Sequence, residues 1–411
     1  MALITLQTEH FRNLVAKPVT FSPAFNLIYG ANGSGKTGLL EAIGYLGLGR
    51  SFRVSRHQAV VQHQQQRFTV FGGLDAGTLN CGGSNSGAFN SGVSNPDTRN
   101  SDALNSGMPN SELKTAPEAG ASSYAHRLGI SRNVGLKETV LRVDGEAVRT
   151  LSALARHFPV LVIDPGVFDI VAGGPGKRRQ FLDWSVFHVE PSFGGAWQQC
   201  QRVISQRNQT LRNGRLDESL MRAWDAQYDL LSNRVTDARF AAFALFKEAF
   251  WLLLGETDAT WANQLKLEFY PGWDYAQPLL EVLVSHRDQE RRMGHTLYGP
   301  NRADIRLKIQ GRPVAEILSR GQQKTLVILM KIAQGMVLRP LGKQVTFLLD
   351  DINAELDSRH RQMLAEKLRS LQCQVFITSI EQQTPDTLWP GTTTPDLRMF
   401  HVEHGQVTEE H

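Results

Sequence analysis

The residues with the clearest chemistry lie in a glycine-rich segment near the start of the chain. The segment consists of Gly30, Ala31, Asn32, Gly33, Ser34, Gly35, Lys36 and Thr37. Its spacing fits the phosphate-binding pattern G-x-x-x-x-G-K-[ST], in which backbone N–H groups surround phosphate oxygens. We expect Lys36 to reach the outer phosphates of a nucleoside triphosphate and Thr37 to bind Mg²⁺.

The segments on either side must hold this loop in place. Residues 25–29 form a short apolar run typical of a buried strand, and residues 38–43 have helical spacing. The loop would then lie at a helix N-terminus, where the helix dipole attracts anions. A glycine-rich turn without a ligand is the alternative, and these flanking segments argue against it.

A second set of candidate residues lies in the last third of the chain. Residues 345–349 predict another buried strand, which ends in Asp350 and Asp351. Asp350 is the expected Mg²⁺ ligand, directly or through water. Asp351 stands where a catalytic carboxylate would polarise the attacking water, so we assign catalysis to Asp351 together with Lys36.

A further motif opens the helix that is predicted before this strand. It consists of Ser319, Arg320, Gly321 and Gln322. It resembles the signature L-S-G-G-Q of ABC ATPases, with Arg320 in place of the first glycine. In that class the signature contacts the nucleotide of a second subunit, and Asp357 resembles the D-loop that touches the same subunit. The plainer alternative is a serine that caps a helix.

Two parts of an ABC ATPase cannot be assigned from the sequence. No histidine directly follows the strand predicted at residues 374–379, so the γ-phosphate sensor is left open. No Q-loop glutamine can be assigned either, and the neighbourhood of Asp164 is the best candidate for that segment.

Three arginines follow the first predicted helix. They are Arg50, Arg53 and Arg56, in a segment with loop-like composition. A solvated face is one interpretation, and contact with the phosphates of the nucleotide or of a nucleic acid is the other. We assign the three to DNA binding as a hypothesis.

The order of the predicted elements indicates an α/β fold. Strand patterns of an antiparallel meander recur at residues 67–75, 125–131 and 138–143. Residues 177–255 are helical in pattern, and residues 224–254 predict one long helix or two. We predict an ABC-type P-loop ATPase head, built of a mixed sheet core plus the β meander, with an inserted α-helical lobe. The head would span residues 1–175 and 295–411, and the lobe residues 176–294.

An asparagine repeat interrupts the meander. Asn recurs at positions 80, 85, 90, 95, 100, 105 and 110. A small β-helix would need an apolar residue in each repeat, whereas Arg99 and Pro109 occupy that position before two of the asparagines. We therefore predict a low-complexity, disordered insertion in a hairpin loop at residues 78–124.

Composition narrows the class of protein. A chain of 411 residues with 41% hydrophobic content suits two or three domains with a proper core. The three cysteines, Cys81, Cys200 and Cys373, are odd in number and far apart, which favours a reducing cytoplasm over a disulfide framework or a zinc site. Neither a secretory signal nor a membrane-spanning run is evident. The formal charge of +4 permits a nucleic-acid partner without requiring one.

In their order, these motifs resemble the RecF family of bacterial recombination-repair proteins. The resemblance covers nearly the whole chain except the insertion. It rests on residues 11–13, 30–37, 49–53, 178–184, 298–304, 318–322 and 349–357. The family signature resembles L-S-R-G-Q, so Arg320 fits it, whereas Asn301 stands in place of a usual histidine.

The resemblance implies a function as well as a fold. It implies ATP and Mg²⁺ as cofactors, an ATP-dependent homodimer, and slow, DNA-dependent ATP hydrolysis used as a switch. It also implies binding to double-stranded and gapped DNA, with a RecR-like mediator as partner. The processes implied are recombinational repair, DNA replication and the SOS response, and the location implied is the cytoplasm. Arg12 and Asn13, in the first matching segment, join the predicted nucleotide site.

Two other classes of protein remain as alternatives. The ATPase subunit of an ABC transporter would share the phosphate loop and the signature, but residues 11–13 and the missing switch histidine speak against it. A metabolic P-loop kinase would have no use for the signature or for Asp357.

Overall fold

A computed structural model describes residues 1–54, 56–75, 124–213, 217–382 and 397–410. The insertion predicted at residues 78–124 lies outside the described residues, apart from Tyr124 at its end.

The strands and helices are numbered in chain order. The strands are β1 (Ala2–Glu9), β2 (Val19–Thr20), β3 (Phe25–Tyr29), β4 (Arg67–Asp75), β5 (His126–Asn133), β6 (Glu138–Val143), β7 (Glu146–Val148), β8 (Val160–Ile163), β9 (Leu265–Tyr270), β10 (Asp304–Ile309), β11 (Arg312–Pro313), β12 (Thr346–Leu349), β13 (Gln374–Ser379), β14 (Leu397–Glu403) and β15 (Gln406–Glu410). The α-helices are α1 (Lys36–Leu48), α2 (Leu151–His157), α3 (Asp169–Ala172), α4 (Pro175–Val189), α5 (Phe193–Arg212), α6 (Glu218–Gly255), α7 (Leu279–Ser285), α8 (Arg287–Met293), α9 (Val314–Ile317), α10 (Arg320–Met336), α11 (Ile352–Glu355) and α12 (Ser358–Ser370).

The phosphate loop follows β3, which lies inside a six-stranded sheet of order β15-β14-β3-β13-β12-β8. All neighbours in this sheet are parallel except β15, which pairs antiparallel with β14. Every residue of β3, β12 and β13 is buried, because both faces of the sheet are covered. The strands predicted at residues 345–349 and 374–379 are confirmed, and their carboxyl ends meet the end of β3 at one edge of the sheet.

A second, antiparallel sheet has the order β2-β1-β4-β5-β6-β7. The pairing of β4 with β5 and of β5 with β6 confirms the predicted meander. Helix α1 lies between the two sheets: Leu40 and Ile43 belong to a core cluster that also contains Phe68 of β4, Leu348 of β12 and Phe376 of β13. The helix that starts at the phosphate loop is therefore held from both sides.

The opposite face of the parallel sheet is covered by helices. The segment predicted as one helix or two is a single helix, α6, of 38 residues. Its apolar stripe, which includes Val235 and Phe246, is buried with Phe181 of α4, Leu329 of α10 and Phe347 of β12 in one cluster. The interpretation of that stripe as core is confirmed.

A small sheet of order β11-β10-β9 leads into the signature segment. Each of its paired strands is antiparallel, and the turn after β10 carries Gln310 and Gly311. Within the described part of the chain, no α-helix combines the length and the apolar character that crossing a membrane requires.

Candidate nucleotide site

The phosphate loop turns sharply between β3 and α1. Gly30 has a φ of +148°, and a Cβ there would collide with the carbonyl oxygen of Val402 on β14. Lys36 is buried, and its ammonium donates to the carbonyl oxygens of Gly30 (2.7 Å) and Ala31 (3.0 Å). Burial lowers the pKa of Lys36, and the charges of Asp351 and Asp350 oppose that shift. The lysine is thus folded over its own loop, where phosphate oxygens could take the place of these carbonyl acceptors.

One polar atom of the loop is left without a partner. The hydroxyl of Ser34 is buried and makes no hydrogen bond with any residue that the structure describes. Buried hydroxyls are nearly always hydrogen-bonded, so an orphan of this kind points to a missing acceptor. A phosphate oxygen in the loop would supply one, and the residues present therefore fit a nucleotide phosphate.

The carboxylate of Asp350 lies at the carboxyl end of β12 and faces two hydroxyls. Thr37 Oγ1 lies 3.0 Å from Asp350 Oδ1, and Thr378 Oγ1 lies 3.1 Å from the same oxygen. Burial raises the pKa of Asp350 and the charge of Asp351 adds to the rise, while the hydrogen bonds from Thr37 and Thr378 oppose it. The hydroxyl of Thr37 and the carboxylate of Asp350 are hard oxygen ligands that lie side by side. Such a pair fits Mg²⁺.

Thr378 was not predicted from the sequence. It is the last residue but one of β13, next to β12 in the sheet, and its hydroxyl also accepts from the backbone N–H of Asp351 at 2.9 Å. A sequence signal for Thr378 does exist. Thr378 lies near the carboxyl end of a buried strand, and that end lies at the same edge of the parallel sheet as Asp350.

Asp351 occupies a strained turn between β12 and α11. Its φ is +49°, in the left-handed region that non-glycine residues seldom adopt. Its side chain is exposed, whereas that of Asp350 is buried. Such strain is concentrated at functional sites, and it separates the two carboxylates so that only Asp351 projects into solvent.

The signature segment is separate from the phosphate loop. Ser319 caps α10, and Gln322 completes a capping box: the Gln322 backbone N–H donates to Ser319 Oγ (3.3 Å) and the Ser319 N–H donates to Gln322 Oε1 (2.9 Å). The plainer prediction, a serine cap, is thus confirmed. Arg320 and Gly321 are exposed. Across the described ranges, no hydrogen bond joins the signature segment to residues 30–37.

A histidine connects the signature segment to Asp357. Asp357 caps α12 through the backbone N–H of His360 (2.9 Å), and His360 Nδ1 lies 2.8 Å from the same carboxylate oxygen. The other ring nitrogen lies 3.0 Å from the Gly321 carbonyl oxygen and 2.9 Å from Thr325 Oγ1. The hydrogen bonds that Asp357 accepts from the backbone N–H and then from the ring of His360 lower the pKa of Asp357. Sequence reasoning missed His360, although its spacing of three residues from Asp357 was available as a signal.

The remaining predicted nucleotide residues border α1 and the phosphate loop. The Arg12 guanidinium holds the buried carboxylate of Glu41 on α1, with Nε and Nη2 at 2.8 and 2.9 Å from its oxygens. The Asn13 amide donates to the carbonyl oxygen of Ser34 at 3.2 Å. Both residues therefore contact the structure that holds the phosphate loop: Arg12 contacts helix α1 and Asn13 contacts the loop backbone.

The three arginines after α1 do not share one environment. All three are exposed. The charge of Arg53 opposes the rise in the pKa of Asp350 that burial causes. Contact with the phosphates of the nucleotide or of a nucleic acid stays a prediction for all three arginines. Arg50 and Arg56 make no ion pair with the residues described.

Comparisons with known proteins show which family this chain resembles. The family model "RecF/RecN/SMC N terminal domain" matches residues 2–389. The "DNA replication and repair protein RecF" of Marinobacter nauticus is 66% identical over 100% of this chain and 100% of its own length, and that of Pseudomonas aeruginosa is 40% identical over 100% of this chain and 98% of its own.

The chain belongs to the RecF family.

Solved structures show the same fold. "Structure of the recombination mediator protein RecF-ATP in RecFOR pathway" is 22% identical, with a TM-score of 0.77 and coverage of 100% of this chain and 98% of that chain. The "SmcHead" bound to a domain of ScpA is 12% identical, with a TM-score of 0.51 and the same coverage. The predicted α/β head of the RecF and SMC type is confirmed for this RecF-family protein.

Proposed function

We propose that this chain is an ATP-dependent DNA-binding protein of recombinational repair and replication restart, which dimerises on ATP and hydrolyses it slowly as a switch. Its RecF relatives are named for DNA replication and repair, and a solved relative is described with ATP. We further propose that it acts in the cytoplasm, on double-stranded and gapped DNA, with a RecR-like mediator that helps to load the recombinase.

One observation carries the dimer. The phosphate-loop half of the site (residues 30–37 with Asp350 and Asp351) and the signature half (residues 319–322 with Asp357) lie on separate elements with no hydrogen bond between them in the described ranges. We infer that one protomer does not bring its own Ser319 to the nucleotide that its Lys36 holds. Two protomers related by a twofold axis can do so, because each offers its signature half to the other.

Each residue has a defined task in this scheme. Lys36 and the backbone of the loop bind the outer phosphates, and Asp351 orients the attacking water. Mg²⁺, held by Thr37 and Asp350, would neutralise the charge of the phosphates when it is bound. The division into a head (residues 1–175 and 295–411) and a helical lobe (residues 176–294) is part of the proposal, with the lobe packed on the head through α6 and α10.

DNA binding would follow dimer closure. Two copies of the exposed Arg50, Arg53 and Arg56 would be brought to one duplex, and pairing two weak phosphate-binding patches raises affinity through effective concentration. Binding should therefore need ATP and fall steeply with salt.

The test is anisotropy of labelled duplex, single-stranded and gapped DNA, each with ATP and with a non-hydrolysable analogue. The double variant Arg50→Ala/Arg56→Ala should weaken ATP-stimulated duplex binding about tenfold and reduce the salt slope. The matched control is Arg222→Ala/Arg234→Ala, which removes two exposed arginines from α6. Equal effects of the two double variants would reject the DNA assignment. A DNA affinity that is the same with and without ATP would favour the alternatives, a transporter-type or a kinase-type ATPase.

A further inference from the structure

The last hairpin of the described chain ends beside the phosphate loop. β14 and β15 pair with Glu403 opposite Gln406, so that His404 and Gly405 form a two-residue turn. Both have positive φ, +47° and +81°, which is the geometry of a type I′ hairpin. This turn contains no group that the proposed chemistry uses.

The turn is wedged between two segments from the start of the chain. The Gly405 N–H donates to the carbonyl oxygen of Ser34 at 2.7 Å, and the Val15 N–H donates to the Gly405 carbonyl oxygen at 2.9 Å. A Cβ on Gly405 would overlap the carbonyl group of Asn13, and a Cβ on Gly35 would lie 3.3 Å from the Gly405 Cα. Only glycine fits between these segments.

The hydrogen bond to Ser34 fixes the direction of a peptide group in the phosphate loop. The peptide between Ser34 and Gly35 is planar and trans, so its carbonyl and its N–H point in opposite directions. Gly405 and Asn13 both donate to that carbonyl and hold it on the outside of the loop. The Gly35 N–H must then point the other way, into the concave side where a phosphate would bind.

We propose that the hairpin turn of His404 and Gly405 positions the phosphate loop for ATP, and that Gly405 is a positioning residue of the nucleotide site. This rests on the proposed function, because it assumes that residues 30–37 bind ATP. The turn does not touch the nucleotide; it acts by fixing the Ser34–Gly35 peptide before the nucleotide arrives, so that the loop loses little conformational freedom on binding.

The chain contains a matched control for the backbone strain. Gly311 lies in a second two-residue turn, between Ile309 and Arg312, with Gln310 at φ +52° and Gly311 at φ +81°. A Cβ on Gly311 would meet no atom within 4 Å. Gly405→Ala and Gly311→Ala therefore impose the same left-handed strain, and they differ in the collision with Asn13 beside the phosphate loop.

The first test compares these two variants by calorimetry with ATP and by steady-state hydrolysis. Gly405→Ala should weaken ATP binding and raise KM for ATP about tenfold, the scale of one lost hydrogen bond, while kcat at saturating ATP changes less than about twofold. Gly311→Ala should leave both unchanged. A purely structural role would lower the folded fraction and the kcat per total protein without a selective rise in KM. Equal ATP affinity in the two variants would overturn the proposal.

A second variant keeps the test decisive if Gly405→Ala does not fold. A glycine inserted after His404 lengthens the turn without adding a side chain, and it should move the donor away from Ser34 and weaken ATP binding to a similar extent. Wild-type ATP affinity in this insertion variant would also overturn the proposal. Lys36→Ala distinguishes a failure of the proposed function from a failure of the hairpin proposal. If Lys36→Ala leaves ATP binding intact, the nucleotide site itself is misassigned. If Lys36→Ala abolishes ATP binding and both hairpin variants bind ATP normally, only the role of the hairpin is wrong.

Discussion

The two halves of the nucleotide site differ in how their polar groups are satisfied. In the phosphate-loop half, the Ser34 hydroxyl has no partner among the described residues, and the Asp350 carboxylate is buried at a cost that raises its pKa. In the signature half, Ser319 is engaged in its own capping box and Asp357 is held by His360. The phosphate-loop half therefore has polar groups that a phosphate and a cation could satisfy, whereas the named groups of the signature half are paired within one protomer.

From this difference we expect the two halves to contribute to different steps, ATP binding and dimer association. Binding of ATP would relieve the unsatisfied groups of the phosphate-loop half, so most of the affinity should reside there. The signature half is already hydrogen-bonded within one protomer, so we expect its contribution in the association of two protomers and not in the binding of ATP to one. Four changes test this contrast, from the largest expected effect to the smallest.

Lys36→Ala should have the largest effect. It removes the ammonium that faces the outer phosphates, and loss of a charge-assisted contact of this kind should weaken ATP binding about a hundredfold. Calorimetry measures this, with Lys247→Ala on the exposed face of α6 as control. Unchanged ATP affinity would show that the phosphate-loop half is not the binding half.

Ser319→Arg should abolish ATP-dependent dimers while ATP still binds the monomer, because the bulky cation would lie on the side that the proposed dimer turns towards the partner. Light scattering with and without ATP measures the dimer. Mixing Ser319→Arg with Lys36→Ala should restore one composite site, from Lys36 of the first variant and Ser319 of the second, and recover part of the ATPase. Dimers of Ser319→Arg alone would mean that this serine is a helix cap and nothing more.

Asp351→Asn should separate binding from turnover. The change keeps the shape of the side chain but removes the charge that orients water, so hydrolysis should fall about a hundredfold, the lower part of the range for general-base catalysis. ATP should still bind and the dimer should live longer. Single-turnover assays would assign catalysis elsewhere if the variant hydrolyses ATP at the wild-type rate.

His360→Phe should have the smallest effect. It keeps a ring but removes the hydrogen bonds that tie Gly321 to Asp357, and these partly exposed bonds should contribute about 1 kcal/mol, or about fivefold in dimer affinity. Monomer affinity for ATP should not change. Gln362→Ala on the same helix is the control, and a loss of ATP affinity in the isolated His360→Phe monomer would contradict the separation of the two halves.

The parts that the sequence could predict are those whose residues are contiguous. Gly30 to Thr37 and the pair Asp350 and Asp351 each follow a buried strand, so motif and element appear together in the chain. Thr378 carries a signal in its place near a strand end and His360 in its spacing from Asp357. The other contacts that define the roles of these two residues, and all those of Gly405, join segments that are distant in sequence. The short strands β2 and β7 were also missed, since two or three residues carry no periodic pattern.

The position of β3 in the parallel sheet has a consequence for synthesis of the protein. The strand that leads into the phosphate loop is flanked on one side by β13 and on the other by β14, and both come from the final part of the described chain. A nascent chain that has left the ribosome as far as α10 would contain the complete glycine-rich motif but neither neighbour of β3. Because such long-range pairings form late, the protein would acquire its nucleotide site only after β13 and β14 have left the ribosome, and fragments released before that point would not compete for ATP.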